Sequence, residues 1–172
     1  MCKPASFIVT QGRVLWDIIS DSHEEIISKN GLVDGSETSF VRVEITPENN
    51  DYRIPIDQWK FNIDQDIIPD WFSTQDAEIA ARSELPRWAA VHIILEGEHE
   101  ISGNASRIVL DGILRVTNQT DGDCWFYGSS QGIVTNQTGG NCGFDGSSQG
   151  TVTNQTGGNC RFYGSSKKLV SK

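Results

Sequence analysis

Residues 115–168 consist of one eighteen-residue unit written three times, and nothing else in the chain constrains the fold as tightly. The copies read RVTNQTDGDCWFYGSSQG from Arg115, IVTNQTGGNCGFDGSSQG from Ile133 and TVTNQTGGNCRFYGSSKK from Thr151. A unit this short cannot bury an apolar face by itself, so it must stack on its neighbours as a solenoid or array. The positions that stay apolar are Val116, Val134 and Val152 in one segment, and Cys124, Cys142 and Cys160 with Phe126, Phe144 and Phe162 in the other. Between and beyond them the residues change: Trp125, Gly143 and Arg161 share one column, Tyr127, Asp145 and Tyr163 the next. Alternation of period two places Cys and Phe inside and the changing columns in solvent. Gln119, Gln137 and Gln155 are expected outside as well, beside an outer ladder of Thr117, Thr135 and Thr153.

The clusters at 138–141 and 146–150 supply the glycines that tight corners need. The expected unit is therefore a flat coil of two strands and two corners, stacked about 4.8 Å from the next. Antiparallel hairpins also fit eighteen residues. Identical residues in register favour parallel coils, because antiparallel pairing would oppose Val to Phe or Cys. Ser106 and Ile108 precede Cys124 and Phe126 by eighteen residues and mark a degenerate earlier coil. Lys167, Lys168 and Lys172 are expected to guard the open edge against end-to-end pairing.

Charge divides the chain in the same region. Up to Glu100 there are nineteen Asp or Glu against eight Lys or Arg, a balance of −11, and beyond it four against six, a balance of +2. The organisation read from these patterns is an acidic α+β domain over residues 1–94, a β-solenoid over 95–168 with clear copies at 115–132, 133–150 and 151–168, and a basic tail at 169–172. An acidic surface with no basic patch argues against direct nucleic-acid binding. It also leaves open that the first domain imitates nucleic acid. No stretch approaches the roughly eighteen apolar residues of a membrane helix, and MCKPASFIVTQGRV lacks a secretory pattern. A cytoplasmic protein with no membrane contact is expected, and its Asn-Gln-Thr triplets at 118, 136 and 154 read as structural repeats instead of glycosylation sites.

In the first domain, Ser6 to Thr10 and Arg13 to Trp16 read as a hairpin around Gln11-Gly12. Ser22 and Glu25 have the spacing of a capping box and open a short helix that stops at Asn30-Gly31. Phe40 to Thr46 and Trp59 to Ile63 alternate as strands. Ala77, Ala80, Ala81, Leu85, Trp88 and Ala89 recur at helical spacing, with Pro86 expected to interrupt or kink the helix and Ser73 or Thr74 to cap it.

Candidate chemistry is sparse. The chain carries none of the common nucleophile, phosphate-loop, dinucleotide or paired-histidine metal motifs. Three cysteines spaced by eighteen residues cannot pair completely and lack zinc-ligand spacing, so neither a disulfide framework nor a metal site nor a cofactor is expected. Cys2 could serve as an amino-terminal nucleophile with His23 as base, the basis of an alternative reading as a small hydrolase or transferase. His23, beside Asp21, Glu24 and Glu25, also suits proton transfer or weak cation binding. Asp64, Asp66 and Asp70 could meet a hard cation but lack the pattern of a calcium loop. Trp59, Trp71, Phe72 and Trp88 could line a pocket for a flat ligand, although large aromatics are first of all core.

At 21–27, 40–47 and 59–72 the sequence, DSHEEII, FVRVEITP and WKFNIDQDIIPDWF, resembles a group of uncharacterised bacterial and phage-type proteins in which a similar N-terminal domain precedes Gly-Ser-Ser-rich repeats. The resemblance implies this architecture and a phage or mobile-element context, with no assigned activity. The reading that follows is a non-enzymatic interaction protein whose repeat block displays a changing face to a protein partner or to another copy. A host defence or regulatory protein is the expected target. Trp125, Tyr127, Arg161 and Tyr163 are the candidate contact residues, because aromatics and Arg dominate binding hot spots.

Overall fold

A computed structural model describes residues 4–33 and 39–168. The chain divides into two compact units, Met1–Ala90 and Val91–Lys172.

The first unit is an α+β domain built on a four-stranded antiparallel sheet in the order β2-β1-β3-β4. Strands β1 (Ser6–Val9) and β2 (Val14–Leu15) form the hairpin. Helix α1 (His23–Lys29) begins where Ser22 accepts from the backbone N–H of Glu25, and ends at Asn30, whose side chain donates to the Ile26 carbonyl. Gly31 then takes φ +66°, a backbone angle that glycine reaches without strain. Ile26 and Ile27 pack with Ile8 and Phe40 in a buried cluster.

Strand β3 (Val41–Thr46) lies between β1 and β4 (Lys60–Ile63). Its apolar residues Val41, Val43 and Ile45 share one face, while Arg42 and Glu44 lie on the other. Helix α2 (Thr74–His92) is capped by Ser73, which accepts from the Asp76 N–H, and buries Ala77, Ala81, Leu85 and Trp88. It runs through Pro86 as one element. Proline there removes a single donor, and the neighbouring buried Leu85 and Trp88 fasten the turn around it.

The second unit is a β-solenoid of about four turns with a spacing of about eighteen residues. In chain order its strands are β5 (Ile93–Ile94), β6 (Glu98–Ile101), β7 (Arg107–Val109), β8 (Ile113–Gln119), β9 (Asp123–Phe126), β10 (Gln131–Gln137), β11 (Asn141–Phe144), β12 (Gln149–Gln155), β13 (Asn159–Phe162) and β14 (Lys167–Lys168). Odd-numbered strands form one parallel five-stranded sheet, β13-β11-β9-β7-β5, and even-numbered strands the other, β14-β12-β10-β8-β6. Cys124, Cys142 and Cys160 stand in one register file, as do Phe126, Phe144 and Phe162, and Val116, Val134 and Val152. The phenyl rings stack nearly parallel with centroids 4.6 and 4.7 Å apart. Gly132 and Gly150 sit inside strands because a Cβ at either would collide with those rings. The strands therefore start at Gln131 and Gln149, inside stretches that the turn-rich composition marks as corners.

The earlier coil differs in register from the sequence expectation. Arg107, Ile108 and Val109 pair with Cys124, Trp125 and Phe126, an offset of seventeen, so Val109 and not Ile108 continues the Phe file. The corner between Val109 and Ile113 has one residue fewer than that between Phe126 and Gln131, and counting by eighteens across it slips by one. A further coil precedes it, with Ile94 paired to Val109 and Ile101 to Val116.

The glutamine column is also corrected. Gln119 and Gln137 are fully buried, not outward, while Gln155 in the last copy is exposed as expected. The ladder skips Thr117, Thr135 and Thr153, and across the middle one the inward phase moves from residue 136 to residue 137. Gln119 donates to the Gly122 and Asn141 carbonyls and accepts from the Cys142 thiol, while Gln137 donates to the Gly140 and Asn159 carbonyls. These amides satisfy corner carbonyls that would otherwise be buried unpaired. Outside, Asn136 donates to Asn118 at 2.7 Å and Asn154 to Asn136 at 2.9 Å, so the first residue of each Asn-Gln-Thr triplet belongs to an amide ladder. Lys167 and Lys168 form the last described strand of their sheet, and Lys172 lies outside the described residues.

Candidate functional site

On the solenoid, the column of Trp125, Gly143 and Arg161 lies on the odd-numbered strands, and the column of Tyr127, Asp145 and Tyr163 directly follows their ends. Trp125 is partly exposed and Gly143, in register beside it, is buried. A Cβ at Gly143 would overlap the six-membered ring of Trp125, so the indole lies across the glycine. Gly143 is thus the complement of a large neighbour and not a solvent-facing residue as the alternation suggested. Arg161 is exposed and Tyr163 is 40% exposed. Tyr127 is partly buried, and that burial together with the Asp145 carboxylate pushes its phenol up to about 12. The strip offers three aromatic rings, one guanidinium and one carboxylate on two adjacent columns.

Behind this strip, Cys142 and Cys160 are not activated as thiolates. Hydrogen bonding with Cys124 and burial push Cys142 strongly upward, and burial with the Cys142 neighbour pushes Cys160 up to about 11. All three repeat cysteines are free, and the raised Cys142 and Cys160 are protonated at neutral pH.

The first unit holds a buried polar cluster. His23 opens α1 with its ring fully buried, its Nε2 lying 3.2 Å from the Val43 carbonyl and its Nδ1 3.2 Å from an Asp64 oxygen. Burial pushes the imidazole below its usual value, against the pull of the Val43 carbonyl and Asp64. Glu44, 7% exposed, adds a carboxylate, and the donor atoms of His23, Glu44 and Asp64 all lie within 4.8 Å of one another. Sheet register assembles the group: Asp64 directly follows β4, and its N–H donates to the carbonyl of Arg42, two residues before Glu44 on β3.

Asp21 accepts from the Ser6 N–H and from the Trp88 indole through one oxygen, tying β1 to α2. Its burial, with repulsion from Glu44 adding to it, lifts its carboxyl to about 8 against those two hydrogen bonds.

A shallow groove of about 330 Å³ lies between the β1–β2 turn and the start of α2, with Trp71 and Phe72 on one wall and Arg13 and Asp76 on the rim. Trp71 and Phe72 meet edge to face here, whereas Trp59 and Trp88 are interior, 6.2 Å apart between centroids. The four aromatics considered together in the sequence therefore separate into a groove pair and a core pair.

The neighbours that sequence adjacency assigns to His23 are engaged elsewhere. Asp21 accepts from Ser6 and Trp88, Glu24 from the Ser22 hydroxyl, and Glu25 pairs with Lys29; Asp66 and Asp70, grouped with Asp64 in the sequence, are exposed. The polar residues that His23 does meet, Glu44 and Asp64, are distant in sequence. In the sequence, Asp64 stands out as a possible cation ligand with Asp66 and Asp70 and not with His23, and Glu44 does not stand out at all. Cys2 lies outside the described residues. His92 is buried with Nδ1 donating to the Ser106 carbonyl, and His99 is exposed. Among the described residues no helix is long and apolar enough to cross a membrane. The chain matches no protein-family model, no curated protein and no solved structure.

Proposed function

We propose that the protein works by holding a protein partner on the outer face of its solenoid and carries out no chemistry of its own. The observation that supports this most is the contrast between files: Val, Cys and Phe repeat in the inward files, while the outer columns change from Trp125 to Gly143 to Arg161 and from Tyr127 to Asp145 to Tyr163. Stacking alone would tolerate one repeated residue in each outer column. Mixed aromatic, cationic and anionic groups on a stiff sheet have the composition of a recognition surface, since rigid rings give contact area at small entropic cost. In keeping with the resemblance noted above, the partner on this reading is a defence or regulatory protein of a bacterial host.

The test is capture from lysate of the source cells by the full chain, at several salt concentrations, beside a triple variant Tyr127→Ala, Arg161→Ala and Tyr163→Ala. Trp125 is left in place because it also covers Gly143. A specific protein retained by the parent and lost by the variant, with both folded by circular dichroism, supports the reading. Retention of nothing by the parent, or of the same protein by both, contradicts it.

A further inference from the structure

The His23 ring presents an electrostatic conflict. A carbonyl oxygen can only accept, so the contact with Val43 requires the proton on Nε2. In the neutral ring this leaves Nδ1 with a lone pair, 3.2 Å from a carboxylate oxygen of Asp64 and with no hydrogen-bond partner. The side chain is 1% exposed, so water does not relieve the contact. Protonating Nδ1 would relieve it, but a charged ring would then sit where water cannot solvate it. Glu44 brings a second carboxylate to the same point.

We infer that His23 Nδ1, Glu44 and Asp64 form a binding site for one divalent transition cation of the zinc class. A cation turns the facing lone pair and carboxylates from a repulsion into a ligand set. One carbonyl-anchored imidazole is the arrangement that fixes a metal-binding histidine in the required tautomer. Bonds of about 2.0–2.2 Å place neighbouring ligand atoms about 3.0–3.6 Å apart. The His23–Asp64 separation of 3.2 Å is already in that range, and a limit of 4.8 Å for the set leaves a small closure to be made. An imidazole with two carboxylates suits zinc, manganese or iron better than calcium, which takes oxygen ligands alone. Two carboxylates also balance a double positive charge. The Asp64 side chain is 50% exposed, which gives the ion a way in and leaves a coordination position toward solvent. Arg42, on the same strand as Glu44, lies over the Phe40 ring at 5.4 Å, and its positive charge opposes binding.

The experiment titrates zinc, and cobalt as its spectroscopic stand-in, into the chelator-treated full chain. Calorimetry is expected to give one ion per chain, and cobalt a visible band without the near-ultraviolet thiolate band that cysteine ligation would produce. Asp64→Asn, at a half-exposed position, is expected to keep the fold and weaken zinc binding at least tenfold, with His23→Gln doing the same where it folds. Asp66→Asn and Cys2→Ser are expected to bind as the parent does. Saturation only at millimolar zinc, unchanged affinity in folded Asp64→Asn, a thiolate band, or loss of binding in Cys2→Ser would each overturn the assignment.

Discussion

The tryptophan of one coil lies on the glycine of the next, and this pair shows how position-by-position chemistry is hidden in a repeat. Trp125 needs a neighbour without a side chain, and Gly143 provides it. Gly143→Val is expected to destabilise the protein by about 1–3 kcal/mol, because overpacking forces either the indole or the strand to move. In a Trp125→Ala background the same change should cost about 1 kcal/mol less, since residues in direct contact couple. Urea denaturation of the four proteins in this cycle measures the difference, and equal costs in both backgrounds would detach the glycine from the tryptophan. The Gln119 and Gln137 files teach a related lesson. Alternation from Val134 runs correctly only as far as Thr135, which the ladder skips, and nothing local in Thr-Asn-Gln tells that the phase slips there. His23 and Asp64 were each legible as polar residues of interest, but their meeting with one another and with Glu44 was not, because it depends on the register of β3 and β4.

At the scale of elements, the inner ladders carry the solenoid. Phe144 lies between Phe126 and Phe162 with both rings stacked on it, fully buried, while the adjoining Asp145 is outward and partly exposed. Phe144→Ala is expected to cost about 3–5 kcal/mol as a large-to-small core change, and Asp145→Ala well under 1 kcal/mol. Equilibrium unfolding monitored by circular dichroism decides it; similar costs at the two positions would contradict the assignment of inner and outer files. The Val, Cys and Phe ladders could be read from the sequence because three copies cancel local variation and leave the residues that packing demands. The earlier coils could not be placed by the same rule. Their corners are shorter, so Val109 takes the position that counting gave to Ile108. In α2, Pro86 was a fair reason to expect a break, and the burial of Leu85 and Trp88 on either side of it holds the helix together.

For the molecule as a whole, the two units follow different rules. The first is an α+β domain whose buried centre mixes aromatic packing with a polar cluster, and most of the acidic charge belongs to the chain before Glu100. The second is quasi-one-dimensional: each coil meets only the coils before and after it, so length can change without a change of fold. A recognition surface on such a frame is a set of columns whose residues differ while the files behind them remain the same. The most direct measurement of this account inserts a second copy of residues 133–150 after Gly150, in the full chain, beside a control that inserts nine residues, 133–141. The whole-unit insertion keeps every inner file in register and sets Gly143 beside its own duplicate. It is expected to unfold cooperatively, with a midpoint within a few degrees of the parent and parallel β content increased by one coil. The half-unit insertion turns inner residues outward and is expected to lose cooperative unfolding or aggregate. Equal tolerance of the two insertions, or equal collapse of both, would contradict in-register stacking of eighteen-residue coils.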